Sequence, residues 1–245
     1  MSITNNEIKT VRSLREKKFR DDLGLFVVEG EKMVAEAMKS RFKIEKIYKR
    51  EEIGDEAMSR ISALSSPSPV LATVRIPKDE SIPQPEAGLY LALDSIRDPG
   101  NLGTILRIAD WFGIKAVVAT PDTVEVYNPK VVQATMGAIF RVEFHYCSLT
   151  SFAERALAAG GHVYGTFLDG KNIYSRDLDT GDSSPSVIVI GNESNGISKE
   201  VAALVSDSLF IPSYPGTVGT SESLNAAVAT AVTVAEFRRR QWERH

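Results

Sequence analysis

Short apolar runs alternate with helical segments between residues 88 and 240, and this alternation limits the possible folds more than any other feature. Runs such as Leu89–Leu93 and Val187–Ile190 are nearly continuous, as expected of parallel strands that helices cover on both faces. The predicted strands are Leu89–Leu93, Ala116–Ala119, Val142–Tyr146, His162–Phe167, Val187–Ile190 and Leu209–Ile211, and helices are predicted near 103–112, 129–137, 150–159 and 198–205 and from about Leu224. The sequence therefore predicts an α/β fold with a parallel sheet.

A smaller α/β unit precedes this region. Its predicted elements are a helix with apolar residues spaced from Ile8 to Phe19, a strand at Leu25–Val28, a helix at Glu31–Met38, a strand at Phe42–Tyr48, a helix at about Glu56–Leu64 and a strand at Val70–Val74. Residues 76–87 are polar and rich in proline, which is typical of a linker. We therefore predict an N-terminal domain at 1–75, a linker at 76–87 and a C-terminal domain at 88–245.

Charge is distributed unevenly between these regions. The chain has a net charge of −3, yet residues 1–50 contain 13 Lys and Arg against 8 Asp and Glu, a net of +5 that leaves −8 for the remainder. A basic part beside an acidic remainder indicates that the N-terminal part meets an anion such as RNA. A solvated helix face accounts for the same residues, and charge alone favours that interpretation.

Composition disfavours several classes of protein. No run approaches the roughly 18 apolar residues of a membrane helix, so no membrane partner is expected. The single cysteine, Cys147, excludes an intramolecular disulfide and favours the cytoplasm. No Cys/His cluster has metal-ligand spacing, so no metal is expected. Dinucleotide and P-loop fingerprints are also absent, which disfavours a nucleotide-binding α/β enzyme with another cofactor.

The first of three notable turns follows the predicted strand at 89–93. In the segment Asp98–Arg107, Asn101 is predicted to cap a helix that starts near residue 102, and Arg107 lies on the second turn of that helix. Arginine is a permanently charged donor suited to phosphate. The structural alternative is that Asn101 only caps the helix while Arg107 pairs with Asp110 or Asp94.

Two more turns follow later strands, at the carboxyl ends where α/β proteins bind ligands. In Gly191–Gly196, two glycines permit a tight turn and close approach to a ligand, and Glu193 supplies a carboxylate. Ile211–Pro212 is followed by Ser223–Asn225, which opens a long final helix with Ser221 or Ser223 as its predicted cap. A Gly-rich turn alone is more often an ordinary loop, so the prediction of a ligand site rests on the three turns taken together.

Taken in order, the three turns resemble the motifs of the SpoU (TrmH-type) family of RNA ribose 2′-O-methyltransferases, in the SPOUT superfamily. The family patterns are Asn-x-Gly-x-x-x-Arg, then Gly-x-Glu-x-x-Gly, then Ile-Pro followed by Ser-Leu-Asn. The matching residues are Asn101, Gly103, Arg107, Gly191, Glu193, Gly196, Ile211, Pro212, Ser223, Leu224 and Asn225. The match covers about 88–240, and Thr135 stands where the family has a Ser. More loosely, the N-terminal unit resembles the family's RNA-binding extension, a small fold like ribosomal protein L30e.

The resemblance implies a parallel-sheet SPOUT domain with a deep trefoil knot, and a homodimer formed through the knot and the last helix, with Phe237 and Trp242 as candidate contacts. It implies that S-adenosylmethionine is the methyl donor and is bound by backbone groups at Gly191, Ile211 and Leu224. The implied catalytic residues are Arg107, Asn101, Glu193, Ser223 and Asn225. RNA is the implied substrate, and the extra N-terminal domain favours ribosomal over transfer RNA.

The chemistry raises one question about Arg107. A guanidinium with a pKa above about 12 is a poor base near neutral pH, so we expect Arg107 to bind an RNA phosphate and orient the 2′-hydroxyl. The proton leaves late, to solvent or to a nearby group. A catalytically inactive RNA-binding ribosome assembly factor is the alternative to an enzyme. The loop Pro212–Ser223 is longer than the family's commonest version, which leaves the shape of the cofactor pocket open.

Overall fold

The chain divides into two compact units. The computed structural model describes residues 3–78, 81–214 and 223–244. Unit 1 comprises Met1–Glu80 and Glu125–Arg141, and unit 2 comprises Ser81–Val124 and Val142–His245. The elements in chain order are α1 (Asn5–Ser13), α2 (Lys17–Leu23), β1 (Leu25–Glu29), α3 (Glu31–Lys39), β2 (Ile44–Lys49), α4 (Arg50–Ile53), α5 (Asp55–Ile61), β3 (Val70–Arg75), β4 (Gly88–Leu93), α6 (Pro99–Trp111), β5 (Ala116–Ala119), α7 (Pro129–Ala134), β6 (Phe144–Tyr146), α8 (Leu149–Ala158), β7 (His162–Asn172), β8 (Pro185–Ile190), α9 (Lys199–Ala202), β9 (Asp207–Phe210) and α10 (Ala226–Glu243).

Unit 1 contains a three-stranded antiparallel sheet in the order β1-β3-β2. Helix α1 starts with a capping box, in which Thr4 and Glu7 bond each other's backbone N–H groups. The single helix predicted from Ile8 to Phe19 is in fact two helices, α1 and α2. The break follows Leu14, whose carbonyl oxygen accepts a hydrogen bond from Arg20 Nη1 at 2.8 Å. That bond satisfies a carbonyl at the end of α1 that a continuous helix would have used.

Residues Glu125–Arg141 belong to unit 1, whereas the boundaries predicted from sequence place them in the C-terminal domain. The ring of Tyr127 lies 4.7 Å from that of Phe26, and the ring of Phe140 lies 5.3 Å from that of Phe42. The chain therefore leaves unit 2 after β5 and returns at β6. The predicted boundary rests on the composition of the linker at 76–87. Composition does not show that the chain passes into unit 1 a second time, because side-chain packing holds residues 125–141 there.

Unit 2 is built on a six-stranded sheet in the order β6-β5-β4-β8-β7-β9, and each neighbouring pair is parallel. This confirms the predicted parallel sheet. The predicted strand at Val142–Tyr146 starts two residues later, at Phe144, and that at His162–Phe167 continues to Asn172 through an irregularity after Thr166. Helices flank a core of small and β-branched side chains, which suits strands covered on both faces.

The central strands β4 and β8 position the candidate site. They pair up to Leu93 and Ile190, and the backbone N–H of Asp94 donates to the carbonyl oxygen of Ile190 at 2.9 Å. From β4 the chain moves outward to β5 and β6 on one side, while β7 and β9 lie beyond β8 on the other. The loops after β4 and β8 thus leave side by side at a switch point, where open α/β sheets bind ligands.

Candidate functional site

Helix α6 begins earlier than the sequence predicts. Asp98 is its N-cap, and Asp98 Oδ1 accepts a hydrogen bond from the backbone N–H of Asn101 at 2.7 Å. Pro99 occupies the first helical position, where its fixed φ suits the helix and its missing N–H is not needed. The prediction that Asn101 caps the helix was wrong, because the Asp-Pro pair is the stronger start signal. Asn101 lies within the first turn, so its side chain is available for other partners.

The side chains of Glu193, Asn101 and Asn225 form one continuous chain of hydrogen bonds. Asn101 Nδ2 donates to Glu193 Oε1 at 2.7 Å, and Asn225 Nδ2 donates to Asn101 Oδ1 at 2.8 Å. Asn101 is buried, and both ends of its amide are used. One side chain therefore links the first turn of α6, the turn after β8 and the start of α10, and three of the five predicted catalytic residues lie together.

Asn225 also forms the N-cap of α10. Its Oδ1 accepts hydrogen bonds from the backbone N–H groups of Ala227 at 3.0 Å and Val228 at 3.3 Å. The sequence predicted Ser221 or Ser223 as this cap. Ser221 lies outside the described residues, and Ser223 precedes the cap by two residues, although serine and asparagine are equally good caps. With its oxygen on the helix, the Asn225 amide presents its nitrogen to Asn101.

The other two predicted catalytic residues, Arg107 and Ser223, are exposed. Within the described ranges neither forms a hydrogen bond or an ion pair. Asp94, one structural partner considered for Arg107, accepts bonds instead from the backbone N–H and hydroxyl of Ser198, both at 2.7 Å. Arg107 is thus a permanent positive charge that is available to a ligand from solvent.

The three predicted cofactor-binding residues follow strands or precede a helix at the same end of the sheet. Gly191 follows β8, and a Cβ atom there would lie 2.3 Å from the carbonyl carbon of Gly196, so only glycine fits this turn. Ile211 follows β9 and is half-buried, while Leu224 precedes α10 and is 48% exposed. A tight glycine turn and two apolar residues at this end of the sheet suit a cofactor that has both polar and aliphatic parts.

The tip of the long loop lies outside the described residues, which resume at Ser223 after Tyr214. The predicted effect of that loop on the pocket, and the predicted knot, therefore stay predictions. In the parts of the chain that are described, no group of three or more His, Cys, Asp or Glu side chains could hold a metal ion. The same parts contain no helix with the length and apolar character needed to cross a bilayer.

Sequence reasoning missed Asn192, which organises the second turn. Its Nδ2 donates to the carbonyl oxygen of Ser95 at 2.7 Å, and its Oδ1 accepts from the backbone N–H groups of Ser194 at 2.9 Å and Asn195 at 3.0 Å. Asn192 therefore closes the turn that carries Glu193 and fastens it to the loop after β4. An asparagine next to a turn glycine is a signal for such a side-chain-to-backbone turn.

Comparison with known proteins agrees with this arrangement. The SpoU rRNA methylase family matches residues 88–235, and the MRM3-like substrate binding domain matches residues 5–72. The 23S rRNA (guanosine(2553)-2′-O)-methyltransferase RlmP of Bacillus subtilis is 29% identical over 97% of this chain and 98% of that protein. A TrmH-family structure from Porphyromonas gingivalis has a TM-score of 0.86 and 37% identity, covering 98% of this chain and 100% of the other. An AdoMet-bound rRNA methyltransferase from Sinorhizobium meliloti has a TM-score of 0.85 and 31% identity, covering 98% and 97% of the two chains. The side chains of Glu193, Asn101 and Asn225 join the family's three motifs, and this chain belongs to the SpoU rRNA methylase family.

Proposed function

We propose that this protein transfers the methyl group of S-adenosylmethionine to a ribose 2′-hydroxyl of ribosomal RNA. The observation that carries the proposal is the hydrogen-bonded chain Glu193–Asn101–Asn225, because it joins all three motifs at one point. The Bacillus subtilis relative is named for 2′-O-methylation of a 23S rRNA guanosine, and the Sinorhizobium meliloti structure is AdoMet-bound. Both names favour an enzyme over an inactive RNA-binding assembly factor.

The cofactor supplies a methyl group that its sulfonium already activates, so the protein's task is to hold and align. Gly191 and Ile211 offer backbone groups at the ends of β8 and β9, and Leu224 offers an apolar surface. Glycine at 191 lets the turn close against the backbone of Gly196 and Ile197, which a side chain there would prevent. These three residues would bind the cofactor in this proposal.

Polar side chains then orient the ribose. Arg107 binds an RNA phosphate through its planar guanidinium, which is better suited to that contact than to proton removal. Asn101 occupies Glu193 Oε1, so Glu193 Oε2 is left to accept a hydrogen bond from the 2′-hydroxyl. Ser223 adds an exposed hydroxyl at the edge of the candidate site. Alignment of this kind supplies several kcal/mol of the barrier reduction without a strong base.

Residues 1–75, which lie in unit 1, are the part that we assign to RNA binding. Their match to a substrate-binding domain and the positive charge of residues 1–50 both support this role. The 1–75 and 88–245 division stays our domain proposal for recognition and catalysis. Ribosomal RNA is favoured over transfer RNA by the names of the relatives. With one cysteine in the chain and RNA as substrate, the cytoplasm is the proposed location.

A homodimer through the knot and α10 completes the proposal. Trp242 on α10 is 83% exposed, and a large exposed aromatic side chain suits an interface. The other candidate contact, Phe237, was predicted wrongly. Its side chain is fully buried, and its ring lies 5.0 Å from that of Tyr164, so it is unavailable to a partner.

The test is methyl transfer from labelled S-adenosylmethionine to ribosomal and transfer RNA taken from cells that lack this protein. Digestion should release one labelled 2′-O-methyl nucleoside from ribosomal RNA. Glu193→Gln should abolish most transfer, whereas Glu200→Gln, an exposed glutamate on α9, should not. No transfer to any RNA, with cofactor binding intact, would instead support the inactive assembly factor.

A further inference from the structure

A cavity of about 520 Å³ lies in unit 2 beside the candidate site and takes no part in the proposed cofactor or catalytic contacts. Its volume is in the range of about 300–1,000 Å³ that is typical of small-ligand pockets. The wall is polar and includes Ser95, Arg97, Asp122, Asn192, Ser194 and Asn195. A ligand of this cavity must therefore offer hydrogen-bonding groups.

The two loops that form the candidate site also form this cavity. Arg97 lines it from the loop after β4, one residue before the N-cap of α6. Asn192 and Ser194 line it from the turn after β8, while Glu193, between them, bonds to Asn101 instead. A nucleotide whose 2′-hydroxyl meets Glu193 would therefore lie at a turn whose flanking residues line this cavity.

Ser95 is held in a strained conformation at the cavity wall. Its φ of 60° lies in the left-handed region that non-glycine residues rarely adopt. Its N–H donates to Thr120 Oγ1 at 2.9 Å, its carbonyl accepts from Asn192 Nδ2 at 2.7 Å, and its hydroxyl donates to Asp122 Oδ2 at 2.8 Å. Such strain persists where the surrounding contacts enforce it, and it is concentrated at functional sites.

Arg97 and Asp122 present complementary groups at the same wall. Arg97 Nη2 lies 2.7 Å from Asp122 Oδ2, and their side chains are 63% and 47% exposed. Hydrogen bonds from Thr120 and then Ser95 hold the pKa of Asp122 below its usual value, so the group is an acceptor at neutral pH. Arginine only donates. The pair thus sets a donor beside an acceptor, as the pairing edge of every nucleobase does.

We propose that this cavity binds the base of the nucleotide whose ribose is methylated, turned out of its stack, with Arg97 and Asp122 contacting the base and Ser95 and Asn192 as positioning residues. Enzymes that do chemistry on a base commonly extrude its nucleotide and bind the pairing edge in a pocket, and the same recognition would select one ribose. Specific recognition of RNA also favours unstacked bases. The inference rests on the proposed methyl transfer at the adjacent site.

The first experiment compares two synthetic RNAs that carry the mapped target nucleotide either intact or as an abasic ribose with its 2′-hydroxyl. The wild-type protein should methylate the intact RNA about ten- to a hundredfold more efficiently in kcat/KM, the loss expected for one or two hydrogen bonds. Arg97→Gln and Asp122→Asn should lose that advantage on intact RNA and match the wild type on abasic RNA. Affinity for S-adenosylmethionine should not change.

The control is Asp177→Asn, which removes another exposed ion pair of unit 2, with Arg244. It should behave as the wild type on both RNAs. Equal wild-type rates on intact and abasic RNA would overturn the base-binding role while leaving methyl transfer standing. Absence of transfer to every RNA would overturn the proposed function, and this inference with it.

Two substitutions of Ser95 separate ligand binding from backbone strain. Ser95→Gly and Ser95→Ala both remove the hydroxyl, but only glycine tolerates φ near 60°. Both should lower kcat/KM on intact RNA equally, although the glycine variant should unfold at a higher temperature than the alanine variant. If activity instead follows stability, with the glycine variant fully active, Ser95 has no role toward the base.

Discussion

Asn225 Nδ2 donates to Asn101 Oδ1 at 2.8 Å, although 124 positions separate the two residues in the chain. The same Asn225 side chain caps α10 through its oxygen, so one residue anchors a helix and joins two motifs. Asn101 passes the link on to Glu193. The orientation of the candidate catalytic carboxylate therefore depends on where α10 begins.

Asn225→Asp should separate these two roles. Aspartate caps helices as well as asparagine does, so α10 and the unfolding midpoint should be retained. The new carboxylate oxygen cannot donate to Asn101 Oδ1, so two acceptors would face each other where the hydrogen bond had been. We expect kcat for methyl transfer to fall about ten- to a hundredfold, the cost of one such bond.

Asn225→Ala is the matched variant, because it loses the cap and the link together. It should be destabilised by about 1 kcal/mol in addition to losing activity. Urea unfolding and initial rates would be measured for both proteins. Full activity of the aspartate variant would show that the link to Asn101 does not contribute to catalysis.

Arg107→Lys keeps the positive charge but loses the planar fork of donors. We expect turnover to be abolished while S-adenosylmethionine still binds, because the proposed ligand of Arg107 is an RNA phosphate. Calorimetric titration with the cofactor and a single-turnover methylation assay would measure the two effects separately. Arg155→Lys on α8 is the control and should retain both. Near-normal turnover of Arg107→Lys would refute this role.

Gly191→Ala should weaken cofactor binding through the backbone. The added Cβ would meet the carbonyl carbon of Gly196 at 2.3 Å and the nitrogen of Ile197 at 2.5 Å, so the turn must open. Overpacking of this kind costs about 1–3 kcal/mol. The cofactor Kd, measured by calorimetry, should rise by about tenfold or more.

Gly160→Ala is a suitable comparison for Gly191→Ala. Gly160 has a φ of 77° and no atom within 4 Å of the new Cβ, so only backbone strain is introduced. It should cost about 1 kcal/mol and leave the cofactor Kd unchanged. Equal cofactor affinity in the two variants would mean that the turn at 191 does not contact the cofactor.

Much of unit 2 was predictable because its signals are local. The strand at Ala116–Ala119 matches its prediction, since a continuous apolar run bounded by polar residues defines a buried strand. Helix α6 starts earlier than predicted, at Pro99, and its cap is Asp98, whereas Asn101 was predicted as the cap. Local patterns therefore predicted the elements, and the errors lay in which polar residue caps a helix.

Contacts between distant parts of the chain could not be predicted from local patterns. Nothing in the composition of Glu125–Arg141 indicates that it joins the N-terminal unit, because Tyr127 and Phe140 look like any core aromatics. The hydrogen bond between Asn101 and Asn225 could not be predicted either, although both residues were expected near one site. The resemblance to a family predicted which residues converge, and the structure supplied which atoms meet.

Glu236 on α10 should make stability depend on pH. Hydrogen bonds from Arg239 and then Arg240 hold the pKa of this buried carboxyl below its usual value near 4.3. A lowered pKa in the folded state adds stability that is complete above the unfolded-state pKa and is lost as pH falls through the folded-state pKa. Glu236→Gln should therefore cost about 1–3 kcal/mol at pH 7, and less below pH 4.

Urea unfolding of the wild type and Glu236→Gln at several pH values would measure that difference. Glu243→Gln is the control, because Glu243 pairs with the same Arg239 from a side chain that is 62% exposed. Such exposed pairs contribute at most about 1 kcal/mol. A Glu236→Gln difference that stays constant from pH 7 down to pH 3 would contradict the argument.

Arg20 and Glu125 should stabilise unit 1 as a pair. Arg20 is 2% exposed, its Nε lies 3.2 Å from Glu125 Oε1, and its Nη2 also contacts that carboxylate. Breaking a buried pair leaves an uncompensated charge and costs about 3–5 kcal/mol, so Arg20→Met and Glu125→Leu should each lower the urea midpoint strongly. The double variant should recover much of the loss, because it buries no unpaired charge. If the loss in the double variant equals the sum of the two single losses, the ion pair between Arg20 on α2 and Glu125 does not contribute to stability.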